Sequence, residues 1–329
     1  MKYTDNAINV LTAISFRGIG RASIVKGFTG GDTVEDIVHK LCKYSKKAET
    51  ITLDNFLMRK SEILNKLQSL EGFADGVVAI GDKDFPPLRG TVKQGDRPVF
   101  LFYRGDLSLL NITNNIVAVI GLRNPDRDIE NIEREVVSEL VKKGAIILSG
   151  LALGCDSIAH KQALTSAGKT VAILPSPLND IVPRQNRELS DEIVKKGGLL
   201  ISEYYIEAKS KLEGDGRYQE RDRLQALFSD CIILSASYSK DENGSLQKND
   251  SGSRLAMGYA VEYLIPRAVI YDEEISKDNP KFDLNRKIID EYKETIIINR
   301  KNLSEKIKLI SSLKPLPDKQ LDEQLTLMF

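Results

Sequence analysis

Apolar residues along this chain fall into two regimes. From residue 76 onward they cluster in short, nearly unbroken runs: Val77–Ile80, Val99–Tyr103, Ile116–Ile120, Ala145–Ser149, Thr170–Leu174, Leu199–Ser202, Cys231–Leu234 and Ala268–Tyr271. Most lack the period-two alternation of a half-exposed strand, as expected for parallel strands covered on both faces. Helical spacing fills several of the gaps. In Pro125–Lys143, the residues Ile129, Ile132, Val136, Val137, Leu140 and Val141 form one stripe. Asn124 is its expected N-cap, Pro125 its first position and Gly144 its stop. Strand–helix–strand repetition predicts an α/β fold, a Rossmann-like, doubly wound, mostly parallel sheet over residues 76–300.

Residues 1–75 instead place Leu, Ile and Val at helical spacings, as in Thr33–Cys42 and Asn55–Leu70, and predict a small helical N-terminal domain. Within it, Phe16-Arg17-Gly18-Ile19-Gly20-Arg21 has two readings. One is a helix-hairpin-helix turn whose amides meet a DNA phosphate; the other is a tight helix–helix turn that uses two glycines. Residues 239–253 are polar and read as a loop. Residues 301–329, Lys-rich and then broken by Pro315 and Pro317, read as a flexible tail.

Composition narrows the function classes. The chain has 329 residues, 41% of them apolar, enough to bury a sizeable core. Lys+Arg and Asp+Glu both number 47, so any nucleic-acid partner must be held by a local basic patch and not by a global field. Cys42, Cys155 and Cys231 are widely separated and the only histidines are His39 and His160, so neither a metal site nor a disulfide framework is expected. No apolar run approaches the roughly 18 residues of a membrane span, and the start Met-Lys-Tyr-Thr-Asp-Asn lacks a signal pattern. A cytoplasmic protein without membrane contact is expected.

Ligands of open parallel sheets bind beyond the carboxyl ends of the strands. There the sequence places Gly121-Leu122-Arg123 and then Ser149-Gly150-Leu151-Ala152-Leu153-Gly154-Cys155-Asp156. Arg184 and Arg187 follow the next strand. A presumed loop with Arg217, Arg221 and Arg223 follows the one after, and Ser251-Gly252-Ser253-Arg254 comes last. Glycines admit a ligand to the backbone, and arginines bind phosphate bidentately. The phosphate-binding set predicted is Gly121, Arg123, Ser149, Gly150, Gly154, Arg184, Arg187, Arg221, Arg223 and Gly252, with Tyr204 and Tyr218 as stacking surfaces. Gly150 and Gly154 do not fit GxGxxG, and no dinucleotide or other cofactor is expected. No histidine is placed to serve Ser149 or Ser202, so no catalytic set is complete. His160 reads as a packing residue, and Asp156 and Glu203 as caps or partners of a crest arginine.

These residues resemble the DNA-processing protein family DprA/Smf. Asp84-Phe85-Pro86-Pro87-Leu88 is similar to the family's YPxxL. Residues 98–105 are similar to its PPVLFYRG, Val117–Arg123 to VAIVGSR, Ser149–His160 to SGLARGIDxxAH, and Asn186–Leu189 to PxxNxxL. Leu122, Leu153 and Asp222 depart from the pattern, which has Ser, Arg and Asn there. The resemblance implies a non-enzymatic, homodimeric protein that binds single-stranded DNA and loads a RecA-type recombinase. The rival expectation is a nucleotide-ligand sensor on the same fold; the PGGxGT motif of phosphoribohydrolase-like relatives is absent.

The last residues, Gln324-Leu325-Thr326-Leu327-Met328-Phe329, resemble the bacterial sliding-clamp-binding pattern QxxLxF, with Gln324, Leu327 and Phe329 at its fixed positions. Leu and Phe would fill apolar pockets while Gln adds a directional hydrogen bond. A fluorescent peptide of residues 318–329 titrated with sliding clamp is expected to bind saturably, and to lose binding in Gln324→Ala and Phe329→Ala. Absence of binding at tens of micromolar clamp, a threshold of roughly 6 kcal/mol, rejects this reading.

Overall fold

The computed structural model describes residues 1–44, 50–239 and 251–314. Four helices open the chain: α1 (Asp5–Ile14), α2 (Arg21–Gly27), α3 (Val34–Tyr44) and α4 (Leu53–Leu67). Local chemistry sets their starts. The Thr4 side chain accepts from Ala7 N, and Thr52 and Asn55 form a reciprocal capping box at α4.

The alternating part follows as β1 (Gly76–Ala79), β2 (Phe100–Gly105), β3 (Ile116–Ile120), α5 (Arg127–Lys142), β4 (Ile146–Ser149), α6 (Cys155–Thr165), β5 (Thr170–Leu174), α7 (Arg187–Lys195) and β6 (Leu199–Ser202). It continues with α8 (Lys211–Leu227), β7 (Cys231–Leu234), α9 (Ser251–Glu262), β8 (Arg267–Ile270), α10 (Glu273–Ser276), α11 (Asp283–Glu291), β9 (Ile296–Ile298) and α12 (Leu303–Ser311). Among the described residues the sheet has nine strands in the order β1-β2-β6-β5-β4-β3-β7-β8-β9. Pairing is antiparallel at β1–β2 and β2–β6 and parallel elsewhere. The chain runs outward from β3 to β6, then returns to the other side of β3, so the order reverses between β3 and β7.

The continuous apolar runs make sense in this sheet because both faces are covered. Val117 and Val119 pack with α5, α6 and α12; their neighbours Ile116, Ala118 and Ile120 pack with α8, α9 and α11. The N-terminal helices share one apolar cluster with Val77, Phe100 and Phe102 of the antiparallel edge and with Leu189 and Ile193 of α7. Arg89, fully buried, donates to Asp230 Oδ1 at 2.8 Å, and Asp230 Oδ2 accepts from Ile116 N at 2.7 Å. This pair ties the segment before β2 to the starts of β3 and β7.

Several expectations change. The cap of α5 is Asp126, which accepts from Ile129 N, not Asn124, and the helix begins at Arg127; Gly144, at φ +82°, ends it as expected. The loop read after Glu203 through Arg217, Arg221 and Arg223 becomes helical from Lys211, as α8, and Ser251-Gly252-Ser253 is the first turn of α9. The strand β9 was not read from the sequence. The tail expectation over 301–329 is corrected at its start: α12 folds against α5, with Ile307 and Ile310 fully buried. The Gln324, Leu327 and Phe329 expectation lies outside the described residues. If α12 belongs to the folded body, Ile307→Ala and Ile310→Ala should each lower unfolding free energy by roughly 2–5 kcal/mol in denaturant titrations, whereas a loose tail would show no change.

Candidate anion-binding pocket

The turn after β4 bends sharply. Leu151 lies in the left-handed region at φ +59°, a conformation costing roughly 1–3 kcal/mol for a residue with a side chain. Burial and four hydrogen bonds with two side chains hold it there. Leu151 is fully buried. Asp156 Oδ2 accepts from Gly150 N (3.1 Å) and Ala152 N (3.2 Å). Asn186 Nδ2 donates to the carbonyls of Leu151 (2.8 Å) and Ala152 (3.1 Å). At Gly154, φ +78°, a Cβ would lie 2.2 Å from Leu122 O, so the turns after β3 and β4 pack backbone against backbone.

Arg221 enters this turn from α8. A Cβ on Gly150 would stand 1.2 Å from Arg221 Nη1, so the guanidinium fills the space a side chain at 150 would need. Arg221 is 5% exposed, 3.7 Å from Asp156 and 3.4 Å from Asp222. Its buried Nε and Nη1 have no hydrogen-bond partner among the described residues. Leaving charged donors unsatisfied is costly, and an anion's oxygens would satisfy them.

Above this guanidinium opens a cavity of about 600 Å³, lined by Ile120, Gly121 and Arg123 after β3, by Ala152, Leu153 and Asp156, and by Pro183. One face of α8 adds Asp215, Tyr218, Gln219, Asp222 and Gln225, and the first turn of α9 adds Gly252, Ser253 and Leu255. Ser253 Oγ donates to Gly121 O at 3.1 Å, fixing the start of α9 beside the β3 turn. The cavity therefore lies at the carboxyl ends of the strands, where their order reverses.

The structure brings together four of the predicted residues, Gly121, Arg123, Arg221 and Gly252. Arg184 and Arg187 are exposed beyond Pro183, outside the described lining. The other four take different roles. Ser149 is buried and donates to Val119 O at 2.7 Å. Gly150 makes room for Arg221, and Gly154 joins two turns. Arg223, 1% exposed, donates to both oxygens of Glu203 at 2.7 Å. Residues two apart on a helix point about 200° apart, so α8 cannot aim Arg221 and Arg223 the same way. Arg21, from the Gly18-Ile19-Gly20 turn, reaches Glu220 (2.8 Å) and Glu203 (3.7 Å), giving that turn a contact within the protein. Tyr218 lines the cavity with the Arg221 guanidinium 5.9 Å from its ring centre, and the Tyr204 ring is covered by the Arg217 guanidinium at 4.3 Å. Asp215, Gln219 and Gln225 were missed; their signal is the helical spacing 215, 218, 222, 225 in a segment read as a loop.

Comparison with known proteins bears on the family and the fold. The sequence profile of the family described as DNA recombination-mediator protein A matches residues 76–263. The DNA processing protein DprA of Bacillus subtilis is 30% identical over 169 residues, 51% of this chain and 54% of that protein. The chain thus spans about half the length of the curated relatives it matches first. The X-ray structure of DNA processing protein A from Streptococcus pneumoniae has the same fold, with a TM-score of 0.66 at 23% identity over 94% of this chain and 98% of that one. A structure of DNA processing protein A from Helicobacter pylori, described for its single-stranded DNA binding mode, gives 0.54 at 28% identity over 71% and 95%.

Buried titratable groups surround the pocket. Burial pushes Glu203 up, but Arg223 and Arg21 outweigh it and hold the carboxyl below its ordinary range. Burial, and then Arg221, lower His160 to about 3; its Nδ1 lies 2.7 Å from Thr170 Oγ1, a packing role. Glu133, fully buried beside Cys155 and Ser235, is pushed by burial up to about 8. An unfolded Glu loses its proton near about pH 4.3, so between there and pH 8 the folded state binds more protons than the unfolded one. Glu133 therefore contributes stability at low pH that is lost as pH rises through about 8. Glu133→Gln should flatten this alkaline loss in melting temperatures measured across that window; an unchanged profile would show that Glu133 is ionised when folded.

Proposed function

The chain belongs to the DNA recombination-mediator protein A family, and on that premise we propose that it binds single-stranded DNA through the pocket between β3 and β7, without catalysing a reaction on it. The observation that carries this reading is Arg221: a cation that lines the cavity and whose buried Nε and Nη1, though within ion-pair range of Asp222 and Asp156, make no hydrogen bond among the described residues. A phosphodiester brings anionic oxygens to such donors. Arg123 and the start of α9 supply further positive potential at the same wall. Tyr218 offers a ring on which a base can stack, and single-strand binding generally combines a basic groove with such surfaces. The Helicobacter relative, described for single-stranded DNA binding, supports the same use of the fold. A non-catalytic role is supported by Ser149 and Ser202, whose hydroxyls donate to carbonyls, and by the buried, neutral His160.

The reading extends to a cytoplasmic homodimer that loads a RecA-type recombinase and contacts a sliding clamp through Gln324, Leu327 and Phe329. Arg184 and Arg187 would meet the strand as it leaves the pocket. One observation favours the nucleotide-sensor alternative: the cavity, about 600 Å³, has the size of a small-ligand site, and Leu153 stands in it where the family pattern has Arg.

Binding of labelled single-stranded oligonucleotide across a salt series tests the proposal. Arg221→Ala should weaken binding and flatten the log–log salt slope by about 0.7. Gly150→Ala, by displacing the guanidinium, should do the same, and the double variant should be no worse than either single one. Arg223→Ala should instead cost about 3–5 kcal/mol of stability by stranding Glu203. Unchanged affinity and slope in Arg221→Ala rejects the pocket, and tight mononucleotide binding without oligonucleotide binding favours the sensor.

A further inference from the structure

We propose that this pocket selects nucleobases carrying an exocyclic amino group, and that Asp215 and Asp222 on α8 read it. The inference rests on the single-strand reading and specifies which strands are bound best.

The charges on the cavity wall do not suit a phosphate alone. Three carboxylates, Asp156, Asp215 and Asp222, stand against two cations, Arg123 and Arg221. A site for phosphate by itself would be weakened by that excess of acid, whereas a ligand that also carries hydrogen-bond donors would use it. One Asp156 oxygen accepts from the Gly150 and Ala152 amides, and Asp222 Oδ1 stands 3.4 Å from Arg221 Nε; a carboxylate has lone pairs for more than one donor. Asp215 and Asp222 lie on one face of α8, seven residues and roughly 10 Å apart. Tyr218 stands between them on the same wall. Asp215 is exposed at the mouth, and Asp222 is buried deeper, beside Arg221.

A base stacked on Tyr218 would therefore have a carboxyl group of α8 toward its edge on either side. A carboxylate only accepts. Cytosine, adenine and guanine each present an amino group, while thymine carries a carbonyl oxygen where cytosine carries its amino nitrogen. The first arrangement gives a charge-assisted hydrogen bond and the second an oxygen–oxygen repulsion. Gln219 and Gln225 can donate or accept, so they discriminate little and the choice falls on the carboxylates. The family pattern has Asn at position 222, a residue that serves either sense; Asp222 removes the donor.

The test uses the full chain with equal-length labelled oligonucleotides of deoxycytidine and of deoxythymidine, at neutral pH, across a salt series. The two have the same ring size and backbone charge, so the phosphate contribution cancels. Deoxycytidine strands should bind about five- to tenfold more tightly, a gain in the range of one charge-assisted hydrogen bond, with equal salt slopes. Asp215→Asn and Asp222→Asn should each shrink the ratio, chiefly by strengthening deoxythymidine binding. Asp215 is exposed, so its variant keeps the test valid should Asp222→Asn disturb Arg221. Equal affinity for the two strands overturns the inference and leaves single-strand binding standing. A preference undiminished in both variants also overturns it, since stacking would then be the source. Binding of neither strand overturns both readings.

Discussion

Arg221 occupies the volume in which a side chain at position 150 would stand, and the carboxyl edge of the sheet is organised around that exclusion. The helix α8 and the turn after β4 come from distant parts of the chain. Once the guanidinium is lodged over Gly150, neither can shift without the other. The same turn keeps Leu151 in a left-handed conformation and depends on Asp156 and Asn186 to hold it. Strain in the turn and unsatisfied donors on the arginine therefore coincide at one place. Such coincidence is characteristic of a binding site, where the free protein keeps an arrangement that its ligand completes.

Two buried ion pairs support this edge from behind. Arg223 and Glu203 form a bidentate pair beneath α8, which Arg21 extends to the N-terminal helices. Arg89 and Asp230 tie the opposite, amino ends of β3 and β7 to the segment before β2. Pairs of this kind add little net stability, yet breaking one leaves a charge without compensation in the interior. They act as constraints on register: one sets how the helical region meets the sheet, the other how the two central strands align.

The electrostatic character of the pocket is local. The chain as a whole is neutral, and the cavity wall mixes Arg123 and Arg221 with Asp156, Asp215 and Asp222. A ligand entering it meets a pattern of donors and acceptors and not a uniform field. Recognition by such a wall would depend on where a ligand's own donors and acceptors lie.

The apolar runs by themselves determined the mostly parallel sheet and the positions of eight strands, because strands buried on both faces have few other ways to be written. Ordered motifs also fell at the carboxyl ends of those strands, the edge where the cavity opens. The glycine-containing turns, Arg123 and Arg221 could be placed there from position in the chain alone. Phase and partners were decided only by the tertiary structure. Without α8 recognised as a helix, Arg221 and Arg223 looked equivalent; its periodicity sends one into the cavity and the other to Glu203. Gly150 and Gly154 read as openings for a ligand, and proved to be room for an arginine and for a neighbouring backbone. Sequence patterns record what each element must bury, but a side chain's role at a site depends on what folds against it, and that is fixed only when distant segments meet.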